Sequence, residues 1–311
     1  MKKILIIGLG SIGQRYASLL HQHGGLEIFA LRQQGNDVVE GVKNLYSWDE
    51  VASAKPDIAF ITNPTSLHIA TAIQCARLGM HLFIEKPLDK NLLAFDELHA
   101  IVKEQQLQCY VAYNLRFHPG ILDLKEVLSQ ESYYYAHILN SSYLPAWRPG
   151  ADYWKNYSGQ ALFGGGVLLD LSHELDYAQF LFGEIQHIEG YFEHSSDLKI
   201  DVEDTADLSV FFINQRRIQI HLDFCSLPVE RVIKVFGQKS VYIVDLIKNT
   251  FQTYSYDGSI KEVNYEIDRN AMYARQIDYF LIGLRNETSV DNLEESAKLL
   301  KCIIEFKAGK K

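Results

Sequence analysis

The stretch Lys3-Ile4-Leu5-Ile6-Ile7-Gly8-Leu9-Gly10-Ser11-Ile12-Gly13 decides the fold of the first part of the chain. Its apolar run predicts a buried strand, and residues 14–21 carry apolar side chains at helical spacing. Gly8 permits a tight turn, Gly10 lets the backbone approach a pyrophosphate, and Gly13 lets helix and strand pack closely. The free N–H groups at the start of the helix, around Ser11 and Ile12, would hold the phosphates. The pattern therefore predicts a dinucleotide-binding turn.

Strand and helix patterns continue to alternate through residue 118. This alternation predicts a doubly wound parallel sheet, an α/β Rossmann domain over residues 1–118. Ligands of such sheets bind outside the carboxyl ends of the strands. The residues that follow predicted strand ends are therefore expected to share one rim: Gly8, Arg32, Asn63, Lys86 and Asn114.

A Glu-Lys-Pro corner lies at the end of the predicted strand 81–85. The amine of Lys86 at the mouth of an apolar strand suits hydrogen bonding to a substrate hydroxyl. The alternative is that Glu85 and Lys86 form a surface ion pair that caps the strand. The shared rim favours the functional interpretation of Lys86.

The end of the second predicted strand bears on the choice of cofactor. An NAD site would place an acidic residue there to bind the ribose 2′-hydroxyl, but the strand ends in Arg32. Glu27 lies at the start of that strand and Asp37 lies beyond its end, so neither fits the position. Because Arg32 could accept a 2′-phosphate, the sequence favours NADP. The alternative is that Arg32 is a solvated loop residue and that NAD binds through other contacts.

The pattern changes after residue 118. Long runs with β character follow, and in residues 218–224 apolar and polar side chains alternate, which is typical of a half-buried antiparallel strand. Residues 119–311 are therefore predicted to form an α+β domain with an open, mainly antiparallel sheet, closed by helices at 273–284 and 293–306.

A second group of polar residues follows three consecutive glycines at 164–166. Asp170, His173, Asp176 and Tyr177 recur at spacings that would place them on one face of a single helix. A histidine flanked by two acids suits general acid–base chemistry. The alternative is that the acids lie at the surface and that His173 is a hydrogen-bonded core residue.

The loop just before this helix is rich in aromatic residues and arginine. Trp147, Arg148 and Tyr153 lie in a stretch broken by glycine and proline. Aromatic rings cover the C–H faces of sugars, while arginine binds hydroxyls, so the loop suits sugar recognition. The alternative is a loop that packs over the sheet.

Composition excludes several classes of partner. The chain has 311 residues, a net charge of -9 and a pI of about 5.7, which argues against nucleic acid or an anionic membrane as the main partner. It contains no apolar run of transmembrane length and no signal-peptide pattern, so a cytoplasmic location is expected. The four cysteines lack metal-ligand spacing, so no metal site is expected.

Three separated motifs resemble the Gfo/Idh/MocA oxidoreductases, of the glucose-fructose oxidoreductase and inositol dehydrogenase type. They are Gly8–Gly13, the run His68–Leu88 with its Glu-Lys-Pro corner, and Gly164–Asp176. Residues 63–65 and 113–117 add to the match. The segments 147–150 and 164–183 resemble a branch associated with bacterial surface-polysaccharide and unusual-sugar pathways. The spacing from Asp170 to His173 is one residue shorter than is usual in relatives.

The resemblance implies roles for individual residues. Lys86 and His173 match the catalytic lysine and histidine, Asp170 matches the acid before that histidine, and the peptide before Pro87 is often cis in relatives. The implied cofactor contacts are Gly8, Gly10, Ser11, Ile12, Gly13, Arg32, Asn63, Pro64, Thr65, His68, Glu85, Lys86 and Asn114. The implied substrate contacts are Lys86, Arg116, Trp147, Arg148, Tyr153, Asp170 and His173.

The sequence thus predicts an NAD(P)-dependent oxidoreductase that interconverts a secondary alcohol and a ketone on a sugar or sugar derivative, with a sugar or nucleotide sugar as the small-molecule partner. Substrate is expected between the rim of the first domain and the sheet of the second. The competing interpretation is a non-catalytic sensor that binds NAD(P) and a sugar on the same fold. An open sheet leaves a broad face to cover, and relatives usually pair through it, so the resemblance implies a homodimer or homotetramer.

Overall fold

The computed structural model describes residues 2–33 and 39–309. The chain folds into two compact units. The first comprises Met1–Tyr113 and Tyr273–Leu300, and the second comprises Asn114–Met272 and Lys301–Lys311. The division therefore differs from the predicted one, because a C-terminal segment packs with the first unit and the boundary falls after Tyr113 instead of residue 118.

The first unit contains a six-stranded, fully parallel sheet in the order β3-β2-β1-β4-β5-β6. Its elements are β1 (Lys2–Ile7), α1 (Ser11–His23), β2 (Leu26–Leu31), β3 (Val42–Leu45), α2 (Trp48–Ala54), β4 (Ile58–Ile61), α3 (His68–Arg77), β5 (His81–Glu85), α4 (Phe95–Glu104) and β6 (Cys109–Ala112). The strands β4 and β6 are buried along their whole length, as expected for parallel strands covered on both faces. The predicted doubly wound sheet is confirmed.

The second unit contains an eight-stranded sheet in the order β14-β13-β12-β11-β7-β10-β9-β8, in which only β7 and β10 pair in parallel. Its strands and main helices are α5 (Pro119–Gln130), β7 (Tyr133–Ser141), α6 (Val167–Asp170), α7 (His173–Phe182), β8 (Ile185–Glu193), β9 (Thr205–Phe212), β10 (Arg217–Asp223), β11 (Glu230–Gly237), β12 (Ser240–Asp245), β13 (Thr250–Ser255) and β14 (Ile260–Asn264). In β10, Ile218, Ile220 and Leu222 are buried and alternate with more exposed side chains. The predicted α+β architecture with a mainly antiparallel sheet is confirmed.

The last two helices are α8 (Arg269–Arg285) and α9 (Leu293–Lys307). The segment between them pairs with the edge strand β6. The side chain of Asn292 accepts the N–H of Val111 at 2.6 Å and donates to its carbonyl at 3.0 Å, and the N–H of Asn292 binds the carbonyl of Cys109. These bonds satisfy the open edge of the sheet, which explains why the segment packs with the first unit.

Two further findings concern the described residues alone. None of their helices has both the length and the apolar character needed to cross a lipid bilayer. Among them, no group of three or more histidine, cysteine, aspartate or glutamate side chains is arranged to hold a metal ion.

Candidate functional site

The glycine turn after β1 is shaped by close backbone contacts. Gly8 has a φ of 95°, and a Cβ there would lie 2.7 Å from the backbone nitrogen of Asn63. A Cβ on Gly13 would lie 1.9 Å from the carbonyl oxygen of Gly8. A Cβ on Gly10, by contrast, would meet nothing within 4 Å. Internal packing therefore requires the outer two glycines, whereas the space at Gly10 is available to a ligand.

The N-terminus of α1 suits an anion. Gly10 is its N-cap and provides no side-chain hydrogen bond, and the first turn contains no acidic residue. Ser11 is exposed and Ile12 half-buried in that turn. Since the first N–H groups of a helix lack partners within the helix and carry partial positive charge, they can hold the pyrophosphate of a dinucleotide.

Asn63 follows β4 and offers a second group to a cofactor. Its Nδ2 donates to the hydroxyl of Thr71 at 2.8 Å, which fixes the orientation of the amide. Its Oδ1 is buried and has no hydrogen-bond partner among the described residues. A buried acceptor of this kind fits a donor such as a ribose hydroxyl. Of its neighbours, Pro64 is exposed and Thr65 buried.

His68 lies behind the rim. It is 1% exposed, and its two ring nitrogens lie 2.9 Å from the carbonyl oxygens of Asn63 and Pro87. Burial lowers the pKa of His68, and a neutral ring donates through only one nitrogen. Its position between two backbone turns indicates that His68 spaces them, which differs from the predicted direct contact with the cofactor.

The corner after β5 holds Lys86. The Lys86–Pro87 peptide is cis, as the resemblance implies. The carboxylate of Glu85 accepts a hydrogen bond from the hydroxyl of Tyr16 at 2.6 Å and from the N–H of Lys86 at 3.1 Å. Burial raises the pKa of Glu85, while Tyr16 and Lys86 oppose that effect. Both oxygens of Glu85 thus have partners within the protein, which favours a structural role over the predicted cofactor contact.

The strand register brings three of the predicted rim positions to one edge of the sheet. In the parallel ladders, Ile7 of β1 pairs with Ile61 of β4, and Ile61 pairs with Ile84 of β5. The segments that carry Gly8, Asn63 and Lys86 therefore leave the sheet on the same side. This edge is where ligands of doubly wound sheets bind.

Arg32 directly follows β2 and is half-buried, and its N–H donates to the carbonyl of Leu45 at 2.9 Å. Glu27 lies near the start of β2, away from the position expected for a ribose contact, and forms an ion pair with Lys43 at 2.6 Å. Asp37 lies outside the described residues. The position of Arg32 at the strand end is consistent with the predicted contact to a 2′-phosphate.

In the second unit, the predicted single helix after the three glycines is wrong. The structure has α6, which ends at Asp170, and α7, which begins at His173. The four polar residues are therefore divided between two helices and do not follow one continuous helical repeat. Asp170 is 6% exposed, and Tyr177 is fully buried with its hydroxyl 3.3 Å from Glu174.

Arg116 forms a buried ion pair with Asp176. Its Nε and Nη2 donate to the two carboxylate oxygens at 2.9 Å and 2.7 Å, and the side chains are 14% and 2% exposed. Arg116 lies in the short turn Asn114–Phe117, in which Asn114 is buried. The pair argues against the predicted substrate contact of Arg116 and against Asp176 as the acid that orients His173. Instead it fixes the first turns of α7.

A second buried ion pair was missed by sequence reasoning. The carboxylate of Glu174 accepts from Nε and Nη2 of Arg231 on β11, at 2.6 Å and 3.1 Å, and Glu174 is 0% exposed. The charge of Glu174 raises the pKa of Arg231 against the effect of burial. Glu174 directly follows His173, so two arginines anchor the helix turn that carries the histidine. In the sequence, the sign of this ion pair is an acid, Glu174, directly after the predicted histidine.

In the segment before α6, Tyr157 contacts Asp170, the predicted catalytic acid. Its hydroxyl donates to Oδ1 of Asp170 at 3.3 Å, and the residue is 39% exposed. The predicted loop residues have other contacts: the hydroxyl of Tyr153 accepts the N–H of Lys199 at 3.2 Å, and the ring of Trp147 packs against a phenylalanine. Arg148 donates to Asn156 at 3.4 Å. Sequence reasoning missed Tyr157, which is the residue of this region whose hydroxyl contacts Asp170.

Two family models match the chain. The model described as "Oxidoreductase family, NAD-binding Rossmann fold" matches residues 2–113, and the GFO/IDH/MocA C-terminal domain matches residues 123–243. Among curated proteins, myo-inositol 2-dehydrogenase of Thermotoga maritima is 24% identical over 96% of this chain and 88% of its own length. Further matched curated oxidoreductases align over about half of their length.

Solved structures share the fold over nearly the whole chain. A levoglucosan dehydrogenase in complex with NADH superposes with a TM-score of 0.86 at 16% identity, covering 99% of this chain and 97% of that one. UDP-N-acetylglucosamine 3-dehydrogenase from Acidithiobacillus ferrooxidans has a TM-score of 0.80 at 20% identity, with coverage of 99% and 97%. Both halves of the chain thus match one family, and the protein belongs to the GFO/IDH/MocA oxidoreductases.

Proposed function

We propose that this protein is an NAD(P)-dependent dehydrogenase or reductase that interconverts a secondary alcohol and a ketone on a sugar or sugar derivative. The observation that carries the proposal is the shared edge of the first sheet, where the turn Gly8–Gly13 follows β1 and Lys86 follows β5, two parallel strands that both pair with β4. An amine on the same edge of the sheet as a phosphate-binding turn is suited to holding a substrate hydroxyl next to a bound dinucleotide. Named relatives that are inositol or levoglucosan dehydrogenases support this assignment.

The proposed chemistry divides between cofactor and protein. When bound at the glycine turn, NAD(P) would supply the hydride chemistry at the carbinol carbon. His173 takes the hydroxyl proton during oxidation and returns it during reduction. Lys86 donates a hydrogen bond to the same oxygen and stabilises the charge that develops on it. Asp170 orients His173, although the interval between them is shorter than in relatives.

Single substitutions test these roles. We expect Lys86→Ala and His173→Ala each to lower turnover about 100-fold or more with the true substrate, the usual scale for a positioned proton carrier. Matched controls are Lys103→Ala, on the exposed side of α4, and His99→Ala, on the same helix, which should retain turnover. Near-normal turnover in either site variant would contradict the assigned role.

The substrate class is proposed to be a free or nucleotide-linked sugar, in surface-polysaccharide or unusual-sugar metabolism. Support comes from the exposed aromatic loop and from relatives named for inositol, levoglucosan and UDP-N-acetylglucosamine. The test is a panel of polyols, sugars and nucleotide sugars, with nicotinamide absorbance as the readout. Binding without any change in absorbance across the panel would favour the sensor, which these dehydrogenase names do not support.

We further propose that Arg32 gives the site a preference for NADP. The arginine directly follows β2, where the 2′-substituent of the adenosine ribose lies in dinucleotide-binding sheets. Arg32→Ala should weaken NADP binding about tenfold or more and leave NAD binding nearly unchanged, since a charge-assisted contact to phosphate is lost. Tighter binding of NAD than of NADP to the unaltered protein would refute the preference.

A second copy of the chain is proposed to cover the open face of the eight-stranded sheet. Four partly exposed apolar or aromatic side chains form one row across four paired strands: Tyr135, Phe236, Val241 and Tyr254. A contiguous row of this kind is a candidate interface. Light scattering should show a dimer or tetramer, and Phe236→Glu should shift it towards monomer. A monomeric unaltered protein would refute this assignment.

A further inference from the structure

A buried chain of hydrogen bonds ends at the lysine corner. The amide of Gln276 on α8 donates to the hydroxyl of Tyr16 at 2.8 Å, and that hydroxyl donates to Oε1 of Glu85 at 2.6 Å. Gln276 and Tyr16 are both 0% exposed. The other oxygen of Glu85 accepts the N–H of Lys86 at 3.1 Å. The chain therefore runs from the C-terminal segment to the backbone of the proposed catalytic lysine.

The ring of Tyr16 is held in place by an aromatic cluster. Its centroid lies 5.5 Å from that of Phe60, 5.2 Å from Phe83 and 5.7 Å from Tyr273. Three neighbouring rings thus contact the ring of Tyr16, while its hydroxyl reaches Glu85. Since tilted and edge-on aromatic pairs resist reorientation, the position of the hydroxyl is defined by packing as well as by its hydrogen bonds.

These hydrogen bonds connect three elements of the first unit. Tyr16 lies on α1, whose N-terminus is the glycine turn; Glu85 ends β5; and Gln276 lies on the helix that returns to the first unit. Loss of the hydroxyl would leave the carboxylate of Glu85 without its side-chain donor and the amide of Gln276 without its acceptor. Buried polar groups that lose a partner destabilise their surroundings and shift position.

We propose that Tyr16 and Gln276 are positioning residues that hold Glu85 and thereby set the place of Lys86. The inference deepens the proposed function and rests on it for the role of Lys86. The inference also assigns the C-terminal segment a role in addition to packing, because Gln276 in that segment is the last residue of the hydrogen-bonded series.

The charged groups around Glu85 define what a substitution should do. Tyr16 and Arg15 face it from α1, Lys86 follows it, and Tyr273 and Tyr110 face the tyrosine. The hydrogen bond from Tyr16 favours the ionised form of Glu85 against burial. Removing that donor should therefore raise the pKa of Glu85 further, because the charged form loses the stabilisation.

The experiment compares Tyr16→Phe and Gln276→Leu with Tyr110→Phe, a buried tyrosine of the same aromatic cluster. In Tyr16→Phe, kcat should fall about tenfold or more, with KM for the cofactor changed less than about threefold, because misplacing a catalytic group affects turnover more than binding. Gln276→Leu should give a smaller loss of the same kind. The control should retain kcat.

A double substitution isolates the path through Glu85. On a Glu85→Gln background, Tyr16→Phe should change kcat by less than about twofold, since the amide no longer needs a donor to stabilise a charge. Full additivity of the two effects would overturn the proposal.

The pKa of Glu85, measured by ¹³C NMR of labelled glutamate side chains in the protein without ligand, separates this proposal from the proposed function. A higher pKa in Tyr16→Phe than in the unaltered protein supports the positioning chain, and an unchanged pKa overturns it. Absence of turnover on every sugar would count against the proposed function alone, since the NMR result does not require turnover.

Discussion

Replacing Arg231 with methionine should destabilise the second unit strongly. In the structure, Arg231 provides two of the hydrogen bonds to Glu174, and the third comes from the hydroxyl of Tyr177 at 3.3 Å. Methionine fills a similar volume without charge. The substitution therefore leaves the carboxylate of Glu174, which is 0% exposed, with the hydroxyl of Tyr177 but without the guanidinium that neutralises its charge.

The expected loss is about 3–5 kcal/mol in the free energy of unfolding, the range for removing one partner of a buried ion pair. Replacing both Glu174 and Arg231 with methionine should restore stability to within about 1 kcal/mol, because no buried charge then remains. The pair of Lys43, whose side chain is 67% exposed, and Glu27 is a control: Lys43→Met should cost less than about 1 kcal/mol, because the lysine is largely in water.

Urea unfolding followed by tryptophan fluorescence measures these changes, because Trp147 and Trp154 belong to the second unit and Trp48 belongs to the first unit with the control pair. His173 directly precedes Glu174, so turnover should fall in Arg231→Met and recover partly in the double variant. A single variant within about 1 kcal/mol of the unaltered protein would refute the reasoning. So would a double variant that is less stable than either single one.

Three further predictions concern other parts of the chain. Gly13→Ala should destabilise the protein, because its Cβ would lie 1.9 Å from a carbonyl oxygen, whereas Gly10→Ala should leave the unfolding free energy unchanged and weaken cofactor binding in fluorescence titrations. The pKa of His221 is raised to about 9, chiefly by hydrogen bonding to an aspartate, so its contribution to stability should be complete below about pH 6.5 and disappear as the pH rises through 9. A His221→Gln variant should lack that part of the pH dependence in unfolding experiments, and an unaltered dependence would contradict it. Tyr157→Phe should lower kcat more than Tyr153→Phe does, since only the first hydroxyl contacts the proposed catalytic acid, and equal effects would argue against that contact.

Local patterns in the sequence were sufficient for the architecture of the first unit. A buried strand, a glycine turn and an amphipathic helix follow from residue type and spacing over about a dozen positions, as the structure of residues 2–23 shows. The alternation of such units implies a parallel sheet, and that sheet in turn places Gly8 and Lys86 at one edge. The cis peptide before Pro87 likewise agreed with the resemblance to relatives.

The second unit shows where local patterns fail. The periodicity of residues 167–181 predicts one helix, but the helix breaks between Asp170 and His173. Two neighbouring acids are each fixed by a distant arginine: Asp176 by Arg116 and Glu174 by Arg231. Periodicity counts positions along one element and contains no information about the groups that other elements bring to it.

The sequence by itself determined the fold class, the family and the position of the glycine turn and of Lys86. Only the tertiary structure decided which polar side chains form hydrogen bonds or ion pairs with other side chains of the protein. The partners in the Arg116–Asp176, Glu174–Arg231 and Tyr16–Gln276 contacts are 60, 57 and 260 residues apart. Hydrogen bonds and ion pairs over such separations depend on burial and on the meeting of whole elements, because a buried charge must find its partner wherever the fold places one.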